Sequence, residues 1–195
     1  MLTHYKAPVQ RMADPVARVL FRLRVRPNHL TVLGLGVSVL AAWAFAIGRL
    51  RVGGALLAVA GLFDLLDGSL ARLGNNATSF GAFLDSVVDR YSDLVVLLGI
   101  LCLYQRAAHS TGVGLTMATL VGTVMVSYTK ARAQSIGVQC EIGLMERPER
   151  MLVLIAGGLF HLLTPAMALL AVLTNATALQ RIIWVRRVSR RDAHP

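Results

Sequence analysis

Four aspartates lie close together in residues 64–89, in the stretch DLLDGSLARLGNNATSFGAFLDSVVD. Asp64 and Asp67 are three positions apart and Asp85 and Asp89 are four apart, so each pair would share one face of a helix. Four unpaired carboxylates so close together would repel one another strongly. One or two divalent ions would neutralise them, and ligation by oxygen alone favours Mg²⁺ or Mn²⁺ over zinc.

The spacing of the aspartates also predicts that the two pairs meet. Asp67 and Asp85 each lie about five residues from the polar turn between the pairs, and Asp64 and Asp89 lie about eight or nine residues from it. At 1.5 Å per residue the two pairs therefore match in depth. An antiparallel helical hairpin would gather all four carboxylates within about 12 to 14 Å of the turn.

The elements that must hold these aspartates are predicted to be membrane spans. Of the 195 residues, 55% are hydrophobic and 15% are charged, whereas an ordinary soluble domain has about 25% charged residues. We therefore expect an all-α integral membrane protein. Six apolar segments are its predicted transmembrane helices: residues 28–48, 52–70, 80–104, 113–133, 151–163 and 165–185, with a turn at Thr164-Pro165 between the last two.

The basic residues predict how the chain lies in the membrane. Residues 12–25, MADPVARVLFRLRV, place apolar side chains at helical spacing with arginines between them, which is typical of an amphipathic helix at the membrane surface. Most Lys and Arg lie in the N-terminal segment, after the second and fourth spans, and at the C-terminus, so these parts should face the cytoplasm. The expected organisation is a cytoplasmic N-terminal segment at 1–27, a six-helix membrane domain at 28–188 and a basic cytoplasmic tail at 189–195, in the cell membrane.

Small residues and one arginine accompany the aspartates. Gly68, Ala71 and Gly81 would let a ligand approach the backbone, and Arg72 lies at the cytoplasmic rim, where it could bind a phosphate. The complete spacing is D-x-x-D-G-x-x-A-R, then eight residues, then G-x-x-x-D-x-x-x-D. It resembles the signature of the CDP-alcohol phosphotransferase family.

The resemblance implies a six-helix membrane enzyme, expected to be a homodimer, that transfers a substituted phosphate from a CDP-linked donor to an alcohol and releases CMP. By the same resemblance, Asp64, Asp67 and Asp85 would bind the metal, expected to be two Mg²⁺ ions. Asp89 would be both a metal ligand and the base that deprotonates the acceptor hydroxyl. The residues that match CDP-diacylglycerol-binding positions are Asn28, Thr31, Gly68, Arg72 and Thr78.

Motifs that are less specific than this signature indicate the acceptor. The segments LDSVVDR, SYTKARA and GLMERPERM resemble those of the bacterial phosphatidylinositol phosphate synthase branch of that family. Pro148, in the last segment, departs from the pattern of that branch. This branch implies inositol 1-phosphate as the acceptor. The residues that match positions around the acceptor phosphate are Ser127, Lys130, Arg132, Arg150 and Arg190.

The sequence is also compatible with other functions. Glycerol 3-phosphate or another polar alcohol could be the acceptor in the same chemistry. Intramembrane carboxylates also mark ion paths in cation or proton transporters, but no charged residue follows Asp93 before Arg106 on the third span. A structural scaffold would leave the aspartates unexplained. The net charge of +10 would suggest a nucleic-acid partner in a soluble protein; here the basic residues flank apolar segments, which favours lipid head groups or an anionic substrate.

Overall fold

The computed structural model describes residues 15–23, 27–73 and 78–192 of the chain. All regular secondary structure in these ranges is helical, which confirms the prediction of an all-α fold. A short helix, α1, spans residues 15–22. The longer helices are α2 at Pro27–Ala46, α3 at Leu50–Leu73, α4 at Ser79–Arg106, α5 at Ser110–Ser135, α6 at Arg147–Leu159 and α7 at Leu163–Asp192.

Three of these helices are long and apolar enough to cross a membrane: Pro27–Ala46, Ser110–Ser135 and the Leu163–Arg190 part of α7. Large apolar side chains stay exposed on each of them, for example Trp43, Met117 and Val172. Exposed apolar surface on this scale suits contact with lipid. The chain is therefore a membrane protein, while the count of six membrane-spanning helices stays a prediction.

The N-terminal amphipathic helix also stays a prediction. Helix α1 covers only 15–22 of the predicted 12–25, and residues 12–14 and 24–26 lie outside the described ranges. Val19 and Leu23 are exposed, and so is Arg22, so the described part carries both apolar and basic surface. Such a surface suits a membrane interface.

The predicted boundary between the last two helices is wrong. The chain turns at residues 160–162, where His161 has a φ of 59°, and Thr164-Pro165 lie in the first turn of α7. Proline fits there because the N–H groups of a first turn have no acceptor within the helix. Helix α7 then continues to Asp192, inside the segment predicted as a tail.

Helix α6 also begins earlier than predicted. Its first residue is Arg147, which follows the N-cap residue Glu146, and Pro148 is the second residue of the first turn. Pro148 therefore starts the helix and does not interrupt it. As a result, Arg147 and Arg150 project from the first turn of a regular helix.

The helices pack so that α2 supports the aspartate hairpin. Helix α2 packs against both α3 and α4, α6 packs against α3, and α7 packs against α5 and α6. The core between them contains Phe45, Ile100 and Met167. A β-carbon on Gly99 of α4 would lie 2.2 Å from the carbonyl oxygen of Ala42, so only glycine allows α2 to lie this close to α4.

Candidate active site

The α3–α4 hairpin brings three of the four aspartates together. One carboxylate oxygen from each of Asp64, Asp67 and Asp85 lies within 4.8 Å of the others. Asp67 is only 6% exposed, and the buried Asp85 Oδ1 has no hydrogen-bond partner among the described residues. A buried carboxylate oxygen without a partner is costly. Three close carboxylates with such an oxygen fit a hard divalent ion such as Mg²⁺ or Mn²⁺.

Helix α2 contributes a hydroxyl that holds one of these carboxylates. Thr31 Oγ1 lies 2.8 Å from Asp67 Oδ2 and 3.2 Å from the carbonyl oxygen of Pro27. Since a carboxylate is the stronger acceptor, the hydroxyl should donate to Asp67. Thr31 was predicted to bind the nucleotide; in the structure it contacts a predicted metal ligand.

Replacing Thr31 with valine should weaken metal binding. The valine keeps the shape of the side chain but removes the hydrogen bond that orients Asp67, and the loss of such a supporting bond typically costs about 10- to 100-fold in metal affinity. We expect the Kd for Mn²⁺, measured by calorimetry on the purified protein in detergent, to rise about tenfold.

Ser38→Ala is the matched control for this variant. The Ser38 hydroxyl is also buried on α2, but it donates to the Gly34 carbonyl of the same helix. The control should change the Kd less than about twofold, since it removes no bond to a carboxylate. Equal Mn²⁺ affinity in Thr31→Val and the wild type would show that Thr31 does not orient Asp67.

An arginine from α6 occupies the other side of the aspartate cluster. Arg147 Nη1 lies 2.6 Å from Asp64 Oδ2 and 2.8 Å from Asp89 Oδ1, and its Nε lies 3.6 Å from Asp93 Oδ1. One guanidinium thus bridges the two deeper aspartates, which agrees with their predicted match in depth. Asp64, Asp67, Asp89 and Arg147 line one small cavity.

A second arginine on α6 fixes Asp93. Arg150 Nη2 donates to Asp93 Oδ2 at 2.5 Å, and Nη1 lies 3.5 Å from the carbonyl oxygen of Met145. Arg150 is 4% exposed. It was predicted to bind the acceptor phosphate, but two of its nitrogens here hold α4 and the start of α6 together. Asp93 therefore has a supporting role.

The predicted nucleotide-binding residues fall at the ends of α2, α3 and α4. Thr78 is the N-cap of α4, and its hydroxyl accepts a hydrogen bond from Gly81 N at 2.9 Å. Asn28 Oδ1 is nearby, 3.5 Å from where a β-carbon on Gly81 would lie. Gly68 and Arg72 lie in the last turns of α3, and the side chain of Arg72 is outside the described part of the structure. Asn28 and Thr78 thus meet at the start of α4.

Only some of the predicted acceptor-binding residues lie near one another in the structure. Lys130 Nζ lies 3.5 Å from Glu146 Oε1, so Lys130 and Arg150 both reach the residues just before α6. Arg132 instead contacts Ser135 on the surface of α5. The half-buried Ser127 lies one turn before Lys130 on α5, and the exposed Arg190 lies about 13 Å along α7 beyond Arg181.

One buried arginine was missed by the sequence reasoning. Arg181 is 1% exposed; it donates to the carbonyl oxygens of Val126 at 2.6 Å and Ile142 at 2.7 Å, and to Glu146 Oε1 at 2.9 Å. It therefore ties α7 to α5 and to the segment before α6. An arginine within the apolar run 165–185 was the available signal, because charged residues in membrane spans usually face the protein interior.

Comparison with known proteins identifies the class. Residues 24–182 match the family described as CDP-alcohol phosphatidyltransferase. The match covers most of the chain and includes the hairpin with all four aspartates. The chain belongs to this family.

Individual relatives narrow the comparison. Archaetidylinositol phosphate synthase of Methanothermobacter thermautotrophicus is 38% identical over 191 residues, which cover 95% of this chain and 94% of that protein. The crystal structure of Mycobacterium tuberculosis phosphatidylinositol phosphate synthase with CDP-DAG bound matches with a TM-score of 0.83 and 35% identity, over 90% of this chain and 94% of that one. The same enzyme in complex with manganese and citrate matches with a TM-score of 0.80 and 36% identity, over 89% and 88%.

Proposed function

We propose that this chain is a membrane phosphatidyltransferase that moves the phosphatidyl group of CDP-diacylglycerol to a hydroxyl of inositol 1-phosphate, giving phosphatidylinositol phosphate and CMP. The observation that carries the proposal is the aspartate cluster, with three carboxylate oxygens within 4.8 Å of one another. The chain belongs to the CDP-alcohol phosphatidyltransferase family. The similar crystal structures from Mycobacterium tuberculosis hold CDP-DAG in one case and manganese in the other.

The aspartates have different proposed roles in the transfer, namely proton acceptance and metal binding. The acceptor oxygen forms a bond to the lipid-linked phosphorus, the bond from that phosphorus to the oxygen of CMP breaks, and the hydroxyl proton passes to Asp89. Asp89 suits this role because it lines the cavity beside the cluster and its side chain is 16% exposed. Mg²⁺ or Mn²⁺ on Asp64, Asp67 and Asp85, with Asp89 as a ligand to a second ion, would neutralise the charge of the diphosphate.

The donor and the acceptor would approach the cluster from different helices. The cytidine diphosphate would bind near the starts of α2 and α4 and the end of α3, where the predicted residues Asn28, Thr31, Gly68, Arg72 and Thr78 lie. The acceptor phosphate would bind on the side formed by α5, α6 and α7. The residues proposed to bind it are Ser127, Lys130, Arg132, Arg150 and Arg190.

Inositol phosphate is preferred to glycerol 3-phosphate because similar proteins carry it in their names. The relative from Methanothermobacter and the structures from Mycobacterium are both named as synthases of an inositol phosphate lipid, and they differ in the lipid part. The basic side chain of Lys130 lies 3.5 Å from Glu146, the N-cap of α6, and it suits a phosphorylated acceptor.

Release of CMP by the purified enzyme tests the proposal. With labelled CDP-diacylglycerol and Mg²⁺, we expect CMP release to depend on inositol 1-phosphate, with glycerol 3-phosphate and free inositol as comparisons. Lys130→Ala should raise the KM for inositol phosphate by about 10-fold or more, because it removes a charged partner of the phosphate. It should leave the KM for the CDP-linked donor within about twofold.

Three results of this assay are informative. Release that depends equally on glycerol 3-phosphate would overturn the choice of acceptor and keep the transferase. No CMP release with any alcohol would overturn the transferase itself. Faster release from the CDP-linked archaetidyl lipid than from CDP-diacylglycerol would correct the donor lipid.

The membrane arrangement is part of the proposal. The proposed enzyme lies in the cell membrane with six spanning helices, residues 28–188, and with the aspartate cluster facing the cytoplasm. Residues 1–27, including α1, lie at the cytoplasmic surface, and residues 189–195 form a basic cytoplasmic end. The positions of Lys and Arg support this orientation, and labelling of Cys102 from either side of the membrane would test it, because Cys102 lies at the opposite end of α4 from the cluster.

A homodimer is also proposed, on the family resemblance alone. The mass of the purified protein in detergent, measured by light scattering, would test it. A monomeric mass with full activity would overturn it.

A further inference from the structure

We propose that Arg147 competes with a divalent ion for Asp64 and Asp89, so that the cluster loads its first ion without displacing a protein cation and its second ion only by displacing Arg147. The inference rests on the proposed metal site and adds a regulating residue to it. The inference follows from which of the four aspartates are paired with a protein cation and which are not.

The four aspartates of the signature fall into two halves that share Asp64. In the first half, Asp67 and Asp85 make no ion pair with a cation among the described residues, and Asp85 Oδ1 is buried without a hydrogen-bond partner. In the second half, Asp64 Oδ2 and Asp89 Oδ1 both contact one nitrogen of Arg147, at 2.6 and 2.8 Å. Asp67 and Asp85 can therefore take up an ion without losing an ion pair, whereas Arg147 already bridges Asp64 and Asp89.

A guanidinium and a divalent ion would repel each other strongly if both bound these oxygens. Both are positive, both need the same lone pairs, and the side chain of Arg147 is only 18% exposed, so solvent screens their repulsion weakly. Arg147 can leave without breaking the helix, because it is the first residue of α6 and Pro148 and Glu149 follow it in the first turn. Asp93 keeps a second partner in Arg150 when Arg147 moves.

Mn²⁺ binding to the purified full chain in detergent tests this competition. In the wild type we expect a tighter and a weaker class of site, measured by calorimetry and by the electron paramagnetic resonance signal of free Mn²⁺. Arg147→Gln should tighten the weaker class about tenfold or more, since charge-assisted hydrogen bonds that compete with the ion are gone. The tighter class should change less than about threefold. The melting temperature without metal should fall, and Mn²⁺ should restore it.

Arg90→Gln is the matched control. It removes the same charge near the same carboxylate, because Arg90 Nη1 lies 3.9 Å from Asp89 Oδ2, but that nitrogen donates to the carbonyl of Ser86 at 2.7 Å. We expect less than a threefold change in the weaker class. Arg147→Lys is a second test variant, since one ammonium cannot copy the planar bridge; its weaker class should tighten, but less than in Arg147→Gln.

The possible outcomes separate this inference from the proposed function. An unchanged or weakened second class in Arg147→Gln, or equal tightening in Arg90→Gln, would overturn the competition and leave the transferase standing. A single ion in both the wild type and Arg147→Gln would do the same. No Mn²⁺ binding by either protein would overturn the metal site of the proposed function, and the inference with it.

Discussion

Replacing Asp89 with asparagine should lower inositol-phosphate-dependent CMP release at least about a hundredfold. Asparagine has almost the same shape but cannot accept the proton of the acceptor hydroxyl, and the loss of a general base typically costs 10²- to 10⁴-fold. The amide also removes one of the two carboxylates that Arg147 bridges. The measurement is the initial rate of CMP release at saturating donor, acceptor and Mg²⁺.

Metal binding tests whether the Asp89 variant still holds the first ion. Asp64, Asp67 and Asp85 form the three-carboxylate group without Asp89, so the tighter class of Mn²⁺ site should survive in Asp89→Asn within about threefold. If the activity and the tighter class were lost together, Asp89 would act through the metal site and not as the base.

Tyr91→Phe serves as the control for the Asp89 variant. Tyr91 lies two residues further along α4 and is exposed, so loss of its hydroxyl should change the rate less than about twofold. A rate for Asp89→Asn above about one hundredth of the wild type would contradict the assignment of the base.

The spacing of residues within one short segment was sufficient to predict the positions of the four aspartates and the family of the chain. The positions of Asp64, Asp67, Asp85 and Asp89 relative to one turn fix their faces and depths, because a helical hairpin has few ways to fold. The match of residues 24–182 to the CDP-alcohol phosphatidyltransferase family confirms the resemblance that this spacing suggested. Both inferences depend on residues close together in the chain.

The contacts of the arginines could not be predicted in the same way. Arg147 reaches Asp64 and Asp89 only because α6 packs against α3, and nothing in the sequence near Arg147 specifies that packing. Pro148 is ambiguous for the same reason: it could break a helix or begin one, and the structure shows that it begins α6. The turn at 160–162 was misplaced because Pro165 was read as a helix break.

Replacing Arg181 with methionine should destabilise the protein by about 3 to 5 kcal/mol, the typical cost of removing one partner from a buried charged network. Methionine fills much of the same volume but removes the Arg181 donors from the carbonyl oxygens of Val126 and Ile142, of which Val126 keeps the Thr129 hydroxyl at 3.2 Å. Among the described residues, it leaves Glu146 paired with Lys130 alone, at 3.5 Å. We expect the melting temperature in detergent to fall by roughly 10 °C, given about 2 to 4 °C per kcal/mol for a chain of this size.

Arg186→Met is the control for this loss, because it makes the same change at an exposed position on the same helix. Its melting temperature should stay within about 2 °C of the wild type, since exposed substitutions usually change stability by less than about 0.5 kcal/mol. Equal melting of Arg181→Met and Arg186→Met would show that the network around Arg181 does not hold α5 and α7 together.

The same variant should also weaken acceptor binding if the network positions Lys130. Arg181 and Lys130 both contact Glu146 Oε1, so a carboxylate freed from Arg181 would pair more closely with Lys130 and withdraw it from the acceptor phosphate. At a temperature well below melting, the KM for inositol phosphate should rise several-fold in Arg181→Met while the KM for the donor stays near the wild-type value. Adding Glu146→Gln should lower the acceptor KM again, because a neutral amide no longer holds the Lys130 ammonium; a purely structural role for Arg181 would leave that KM unrestored.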